Sequence, residues 1–156
     1  MMNENEQQRF LENIQELLAQ AEGFREGTVF AMMEPRLLRC EPEIPAVTVA
    51  YPGRAWEENG NGVLHGGITA AMMDVAMGTL TYGLTGTVTP TMNLNISYPR
   101  PAMGGGSFFI RAEAAKAGRT ALYTSAVMYE ESAPDKPVAT AQGVFINPTG
   151  KYLGEK

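Results

Sequence analysis

The sequence predicts an α+β fold in which an antiparallel sheet wraps around one long central helix. From Gly67 to Tyr82 every helical face is apolar or small, and a helix of this kind lies either in a membrane or inside protein. Its length and the acidic Asp74 favour protein. Four strand-like segments with short turns follow, at 87–98, 107–117, 120–130 and 138–147. Strands joined in this way are expected to pair in chain order as an antiparallel meander.

Length and composition set limits on the class of protein. The chain has 156 residues, so we expect a single domain over 1–156. Its formal net charge of −5 argues against nucleic acid as a partner. One cysteine, Cys40, excludes a disulfide within the chain, and with a single histidine it cannot form the usual zinc site, so we expect no metal. The polar, acidic N-terminus and the lack of a long uncharged run predict a cytoplasmic protein that is not in a membrane.

The segments before the central helix are less regular. Apolar residues at helical spacing predict a helix from Asn3 to Glu22 with Gly23 as its cap. We expect 24–43 to be irregular because prolines interrupt it. A β-branched stretch at 44–51 predicts the first strand, and a turn-rich loop follows it. The domain therefore divides into an N-terminal helix and irregular segment (1–43), a core (44–147) and a C-terminal tail (148–156).

One carboxylate in the central helix is unusual. Between His65 and Arg100, Asp74 is the only Asp, Glu, Lys, Arg or His, and a lone carboxylate on an apolar helix is costly unless it is paired or functional. Its helical neighbours are mostly small, which leaves room for another backbone or a ligand: Ala70, Ala71, Met77 and Gly78. A carboxylate bonded to backbone groups or at a subunit interface and a functional carboxylate both remain open.

The start of the central helix is the second unusual feature. Gly66 and Gly67 allow close approach to the backbone, and the first amides of a helix have no partner within it. Those amides suit a developing oxyanion. A tight glycine turn and a purely structural His65 are the alternatives.

The spacing of these residues carries more information than each residue alone. Asn59 lies six residues before His65, two glycines follow the histidine, and Asp74 lies nine residues after it. This arrangement resembles the hotdog-fold acyl-CoA thioesterases of the phenylacetic-acid-degradation (PaaI-like) group. The resemblance continues in NLNISYPRPAMGG, KAGRTALYTSAVMYE and VATAQGVFIN, and it covers roughly 44–147.

The resemblance implies a hotdog fold, here with an extra N-terminal helix, and an active site between two subunits whose dimers pair into tetramers. Asp74 would be the nucleophile or the general base, and the Gly66 amide would polarise the thioester carbonyl. Asn59 and His65 of the other protomer would position that carbonyl or the water, which Thr91 would help to orient. No cofactor is implied, because coenzyme A is part of the acyl-CoA substrate.

Further substrate contacts are expected at Gly67 and at two turn arginines, Arg100 and Arg119, since guanidinium groups match phosphate geometry. Both arginines are equally consistent with plain solvated turns. Two other functions remain as alternatives. One is an acyl-thioester dehydratase or hydratase on the same fold, and the other is a non-catalytic acyl-CoA-binding hotdog protein.

Overall fold

The computed structural model describes residues 2–21, 23 and 26–155. Its helices and strands follow in this order: α1 (Glu4–Ala21), α2 (Val29–Met33), β1 (Arg36–Glu41), β2 (Ala46–Pro52), a 3-10 turn (Ala55–Glu57), α3 (Gly66–Thr85), β3 (Thr91–Ser97), β4 (Ser107–Ala117), β5 (Ala121–Glu130) and β6 (Ala139–Ile146). All six strands form one antiparallel sheet in the order β1-β2-β4-β5-β6-β3.

The sheet packs around α3, which confirms the predicted α+β architecture. Met72, Met73, Met77 and Leu80 of α3 are fully buried. Alternate residues of the strands meet them, and in β4 these are Phe108, Ile110 and Ala112. Strand side chains alternate between two faces, so each strand gives one face to the core and leaves the other outside.

The prediction for the segment before the core was wrong in part. Within 26–43, which was expected to be irregular, the structure has the short helix α2 and the strand β1. The sheet therefore begins at Arg36 rather than at residue 44. Pro35 and Pro42 flank β1 instead of interrupting it, which is where prolines are tolerated around a strand.

The predicted meander was also wrong for one strand. β4, β5 and β6 pair in chain order, but β3 lies on the far edge of the sheet beside β6, and β4 pairs with β2. The connection from Tyr98 to Gly106 is too long and too rich in proline for a tight hairpin. It instead returns the chain to the other side of the sheet.

The predicted N-terminal helix is confirmed as α1, although its predicted last residue, Glu22, lies outside the described residues. α1 packs on the second half of α3 at Gly83, where an added Cβ would lie 2.6 Å from the Phe10 ring and 2.8 Å from Ile14. Phe10 and Ile14 are both buried. The Asn13 side chain fixes the contact by donating to the Gly83 carbonyl at 2.8 Å. No helix in the described part of the chain has the length and hydrophobicity needed to span a membrane.

Candidate active site

The start of α3 is capped by His65. Its backbone is extended, and its Nδ1 accepts a hydrogen bond from the Gly67 amide at 2.9 Å. In the neutral imidazole one nitrogen accepts and the other carries the proton. Nε2–H is therefore the donor of His65 that has no partner in the described part of the chain. The Gly67 amide, expected to contact substrate, is already engaged by this cap.

The Gly66 amide, in contrast, has no hydrogen-bond partner among residues 2–21, 23 and 26–155. It carries the partial positive charge of a helix N-terminus. The Tyr98 hydroxyl donates to the Gly66 carbonyl at 2.9 Å and places the tyrosine ring beside the glycine. An oxygen atom of a substrate can therefore approach this amide directly.

A cavity of about 220 Å³ lies beside the Gly66 backbone. Leu64, Ala102 and Val138 belong to its apolar lining, and Tyr98 and Arg100 belong to its polar side. Ligand sites commonly combine an apolar lining with a few polar groups in this way. The structure thus brings Arg100 close to the helix start.

Asp74 lies in the middle of α3 and is half-buried. Its Oδ1 accepts a hydrogen bond from the Thr91 hydroxyl at 2.7 Å. Thr91 is the first residue of β3, at the edge of the sheet. Helix and edge strand together hold the carboxylate at the surface, where it remains accessible to a ligand.

The position of Thr91 is set by the segment that precedes it. The hydroxyl groups of Thr81 on α3 and of Thr89 are buried and 2.6 Å apart. The Thr85 hydroxyl also donates to the Thr87 carbonyl at 3.1 Å. These contacts hold residues 87–89 against the helix that carries Asp74. They therefore fix the position of Thr91, the first residue of β3, along the axis of α3.

Asn59 stabilises the loop before the helix. Its Oδ1 accepts from the amides of Asn61 at 2.9 Å and Val63 at 3.4 Å, which is an Asx-type turn. The side-chain Nδ2 has no hydrogen-bond partner within the described ranges. Asn59 is therefore both a turn residue and a residue with a free donor near the start of α3.

Comparison with known proteins finds one family that resembles part of the chain. The model of the thioesterase superfamily matches residues 61–134, a range that includes His65, Gly66, Asp74 and Thr91. The chain has the hotdog fold, and this part of it resembles the thioesterase superfamily. A search of curated protein sequences found no match.

Solved structures agree with this fold. A thioesterase family protein from Silicibacter pomeroyi is 21% identical with a TM-score of 0.74, covering 88% of this chain and 96% of its own. The PaaI protein of E. coli, from the phenylacetic acid degradation operon, is 17% identical with a TM-score of 0.73, covering 92% and 96%. A conserved protein from Pseudomonas aeruginosa is 26% identical with a TM-score of 0.63, covering 74% and 90%.

The predicted site residues fall into separate groups. Asp74 and Thr91 are in contact, and Asn59, His65, Gly66 and Arg100 lie around the start of α3. The two groups are apart, because the eight residues from Gly66 to Asp74 span about 12 Å of helix.

Arg119 lies far from the group at the start of α3. It follows β4, an 11-residue strand that is about 35 Å long. The other end of β4 lies beside the loop before α3, because the Gly104 amide donates a hydrogen bond to the Gly62 carbonyl. Its Nε donates to Glu155 at 2.6 Å. Arg119 and Arg100 therefore cannot bind the same phosphate group within one chain.

Sequence reasoning missed two residues of the site. Tyr98 was treated only as the end of a strand, and Glu57 as part of a turn-rich loop. Tyr98 contacts Gly66 through the fold alone, and no sequence signal marks it. Glu57 occupies a polar loop next to Glu58, so its complete burial could not be read from its neighbours.

Proposed function

We propose that the protein hydrolyses acyl-CoA thioesters to a free acid and coenzyme A. The observation that carries this proposal is the half-buried Asp74 carboxylate held by the Thr91 hydroxyl at 2.7 Å, on the helix whose first amide, that of Gly66, is free. A carboxylate base or nucleophile and an oxyanion donor at a helix start are the two groups that thioester hydrolysis needs.

The chemistry has two possible courses. As a general base, Asp74 takes a proton from water while the oxygen of that water adds to the thioester carbonyl. As a nucleophile, the carboxylate adds to the carbonyl itself, and water then hydrolyses the resulting anhydride. In both courses the carbon–sulfur bond breaks, the CoA sulfur leaves as a thiolate that takes up a proton, and the Gly66 amide stabilises the negative charge on the carbonyl oxygen.

The distances favour a site that is shared between two chains. A reacting carbonyl must lie about 3 Å from both its oxyanion donor and the attacking group. Asp74 and Gly66 of one chain are about 12 Å apart along α3. We therefore infer that Asp74 of one protomer acts with Gly66, His65 and Asn59 of a second protomer.

The surface around β3 supports a dimer. Val88, just before β3, is 69% exposed and Met92 within it is 58% exposed. β3 is also an edge strand, with backbone groups able to pair with another chain. A second copy of the chain would cover these apolar side chains and bring its own helix start to Asp74.

Pairing of dimers into tetramers has its own support on the outer face of the sheet. A shallow cavity of about 370 Å³ there is lined by uncharged residues, among them Asn95, Ser97, Ser125, Thr140 and Gln142. Uncharged polar surface of this kind is unusual on a free sheet in a chain with 19% charged residues.

A hydrolysis screen over aryl-, short-, medium- and long-chain acyl-CoAs tests the proposal by measuring the released CoA thiol. On the best substrate, Asp74→Asn should lower kcat by about 10²–10⁴-fold, because an amide is neither a base nor a nucleophile. Asp135→Asn, the same change on an exposed turn, is the matched control. Near-normal turnover by folded Asp74→Asn would contradict the assignment.

A further inference from the structure

Glu57 is a buried carboxylate that the proposed reaction does not use. Its residue exposure is 0%, although it lies in the polar loop between β2 and α3. Its Oε2 accepts a hydrogen bond from the Arg54 amide at 2.9 Å. Its Oε1 is buried and has no partner among the described residues.

A buried carboxyl group with one unpaired oxygen lowers the stability of the fold, so stability alone does not explain a glutamate at position 57. An unsatisfied buried acceptor costs about 1–3 kcal/mol, and more when it is charged. Burial raises the pKa of Glu57, and the Arg54 amide and guanidinium offset this only in part. Relative to the unfolded chain, the fold therefore favours the protonated form of Glu57, and this stabilising contribution is lost as the pH rises through the raised pKa.

The carboxyl group closes the turn that leads to the active-site helix. The 3-10 turn Ala55–Glu57 begins after Arg54, and the side chain of Glu57 reaches back to the Arg54 amide. At the end of the same turn, the Glu57 carbonyl accepts the His65 amide at 2.8 Å. Glu57 thus joins both ends of the loop, one through its side chain and the other through its backbone.

The orientation of the free Gly66 amide depends on this contact. The His65 carbonyl accepts the amides of Ile68 and Thr69 at 2.9 Å, and its imidazole caps Gly67. Because hydrogen bonds hold both the amide and the carbonyl of His65, the peptide group between His65 and Gly66 has a fixed orientation. A shift of His65 would turn the Gly66 amide away from the substrate.

We propose that Glu57 is a positioning residue for the active site, acting through the Arg54–Glu57 turn on His65 and the Gly66 amide. This inference rests on the proposed hydrolysis. It requires a hydrogen-bond acceptor of the length of glutamate at position 57, and it does not require a negative charge.

Three variants separate length from charge. Glu57→Gln keeps the acceptor and its length, Glu57→Asp keeps the charge but retracts the oxygens by one methylene, and Glu57→Ala removes the acceptor. Because misplacement by about 1 Å can cost about 10²-fold in rate, we expect Glu57→Ala and Glu57→Asp to lower kcat by about 10–100-fold. KM should change by less than about threefold, because the Gly66 amide acts mainly on charge that develops in the transition state. Glu57→Gln should stay near wild type.

A second readout does not depend on activity. His65 is the only histidine in the chain, so its imidazole signals in an NMR spectrum need no assignment. In the wild type we expect the Nε2–H tautomer, because Nδ1 accepts from Gly67. The imidazole signals should move in Glu57→Ala and Glu57→Asp and remain in place in Glu57→Gln. Glu58→Gln, the same change on the adjacent residue, should leave kcat, KM and the imidazole signals unchanged.

The outcomes decide the proposal. A loss of kcat together with moved imidazole signals in the alanine and aspartate variants, with normal behaviour of Glu57→Gln, supports it. A lower Tm with unchanged kcat and unchanged imidazole signals, or a Glu57→Gln variant as impaired as Glu57→Ala, overturns it. If Glu57→Ala does not fold, the comparison of Glu57→Asp with Glu57→Gln decides alone. If the wild type hydrolyses no acyl-CoA, the proposed function fails, and the imidazole signals still test the role of Glu57.

Discussion

Replacing Thr91 with valine tests whether the Asp74 carboxylate needs its hydroxyl partner. Valine has nearly the shape of threonine and an equal preference for strands, so the change removes little besides the hydrogen bond at 2.7 Å. Thr91 is exposed at the sheet edge, and we therefore expect little change in Tm.

The size of the effect follows from the type of bond. A hydrogen bond to a charged group contributes about 1.5–3 kcal/mol, and the exposure of Thr91 favours the lower end. A loss of about 1.5 kcal/mol corresponds to about tenfold in rate. We expect kcat to fall by about three- to tenfold.

The assay compares kcat, KM and Tm for Thr91→Val, Thr91→Ser and Thr48→Val on one acyl-CoA. Serine restores the hydroxyl and should restore most of kcat. Thr48 lies on β2 and its side chain makes no hydrogen bond within the described residues, so its valine variant measures the effect of the substitution itself. Unchanged kcat in Thr91→Val, or equal losses in the valine and serine variants, would refute the reasoning.

Three other changes test the site and its surroundings. Asn59→Ala should lower kcat by roughly 10–10³-fold with a smaller rise in KM, and a lower Tm with intact kcat would remove Asn59 from the active site. Met92→Lys places a charge on the proposed dimer surface and should give inactive monomers, and an unchanged mass by light scattering with size exclusion would show that β3 is not the interface. Burial and then Glu43 raise the pKa of Cys40 from 9.0 to about 11. Its reaction with a thiol reagent at pH 8 should therefore be about 100-fold slower in the folded than in the unfolded protein, and equal rates would contradict this.

The centre of the fold could be predicted because its signals are strong and local. The apolar run from Gly67 to Tyr82 gave α3, which extends from Gly66 to Thr85. The strand predicted at 107–117 has the same bounds as β4 in the structure. β1 was missed because five of its six residues are exposed or half-buried, which leaves no alternation to detect. The predicted position of β3 in the sheet was wrong because the order of strands in the sequence does not give the path of a long connection.

The candidate site, like the fold, could be predicted only in part. Asp74 was recognisable because no other charge lies near it in the helix. The family resemblance pointed to Thr91 as a residue that orients water, whereas its hydrogen bond to Asp74 is seen only in the structure. Glu57 and Arg119 could not be placed from the sequence. The burial of Glu57 depends on how the loop folds over it, and the remoteness of Arg119 depends on the full length of β4.

The eight-residue separation of Gly66 and Asp74 along α3 has a genetic consequence if each site takes its parts from two chains. A chain with Asp74→Asn still offers an intact helix start, and a chain with Asn59→Ala still offers an intact carboxylate. A mixed dimer of these two inactive chains would contain one complete site, because each chain of a symmetric dimer contributes to both sites. Two defective alleles could then complement one another in the same cell, whereas either allele together with the wild type would inactivate half the sites of every mixed dimer.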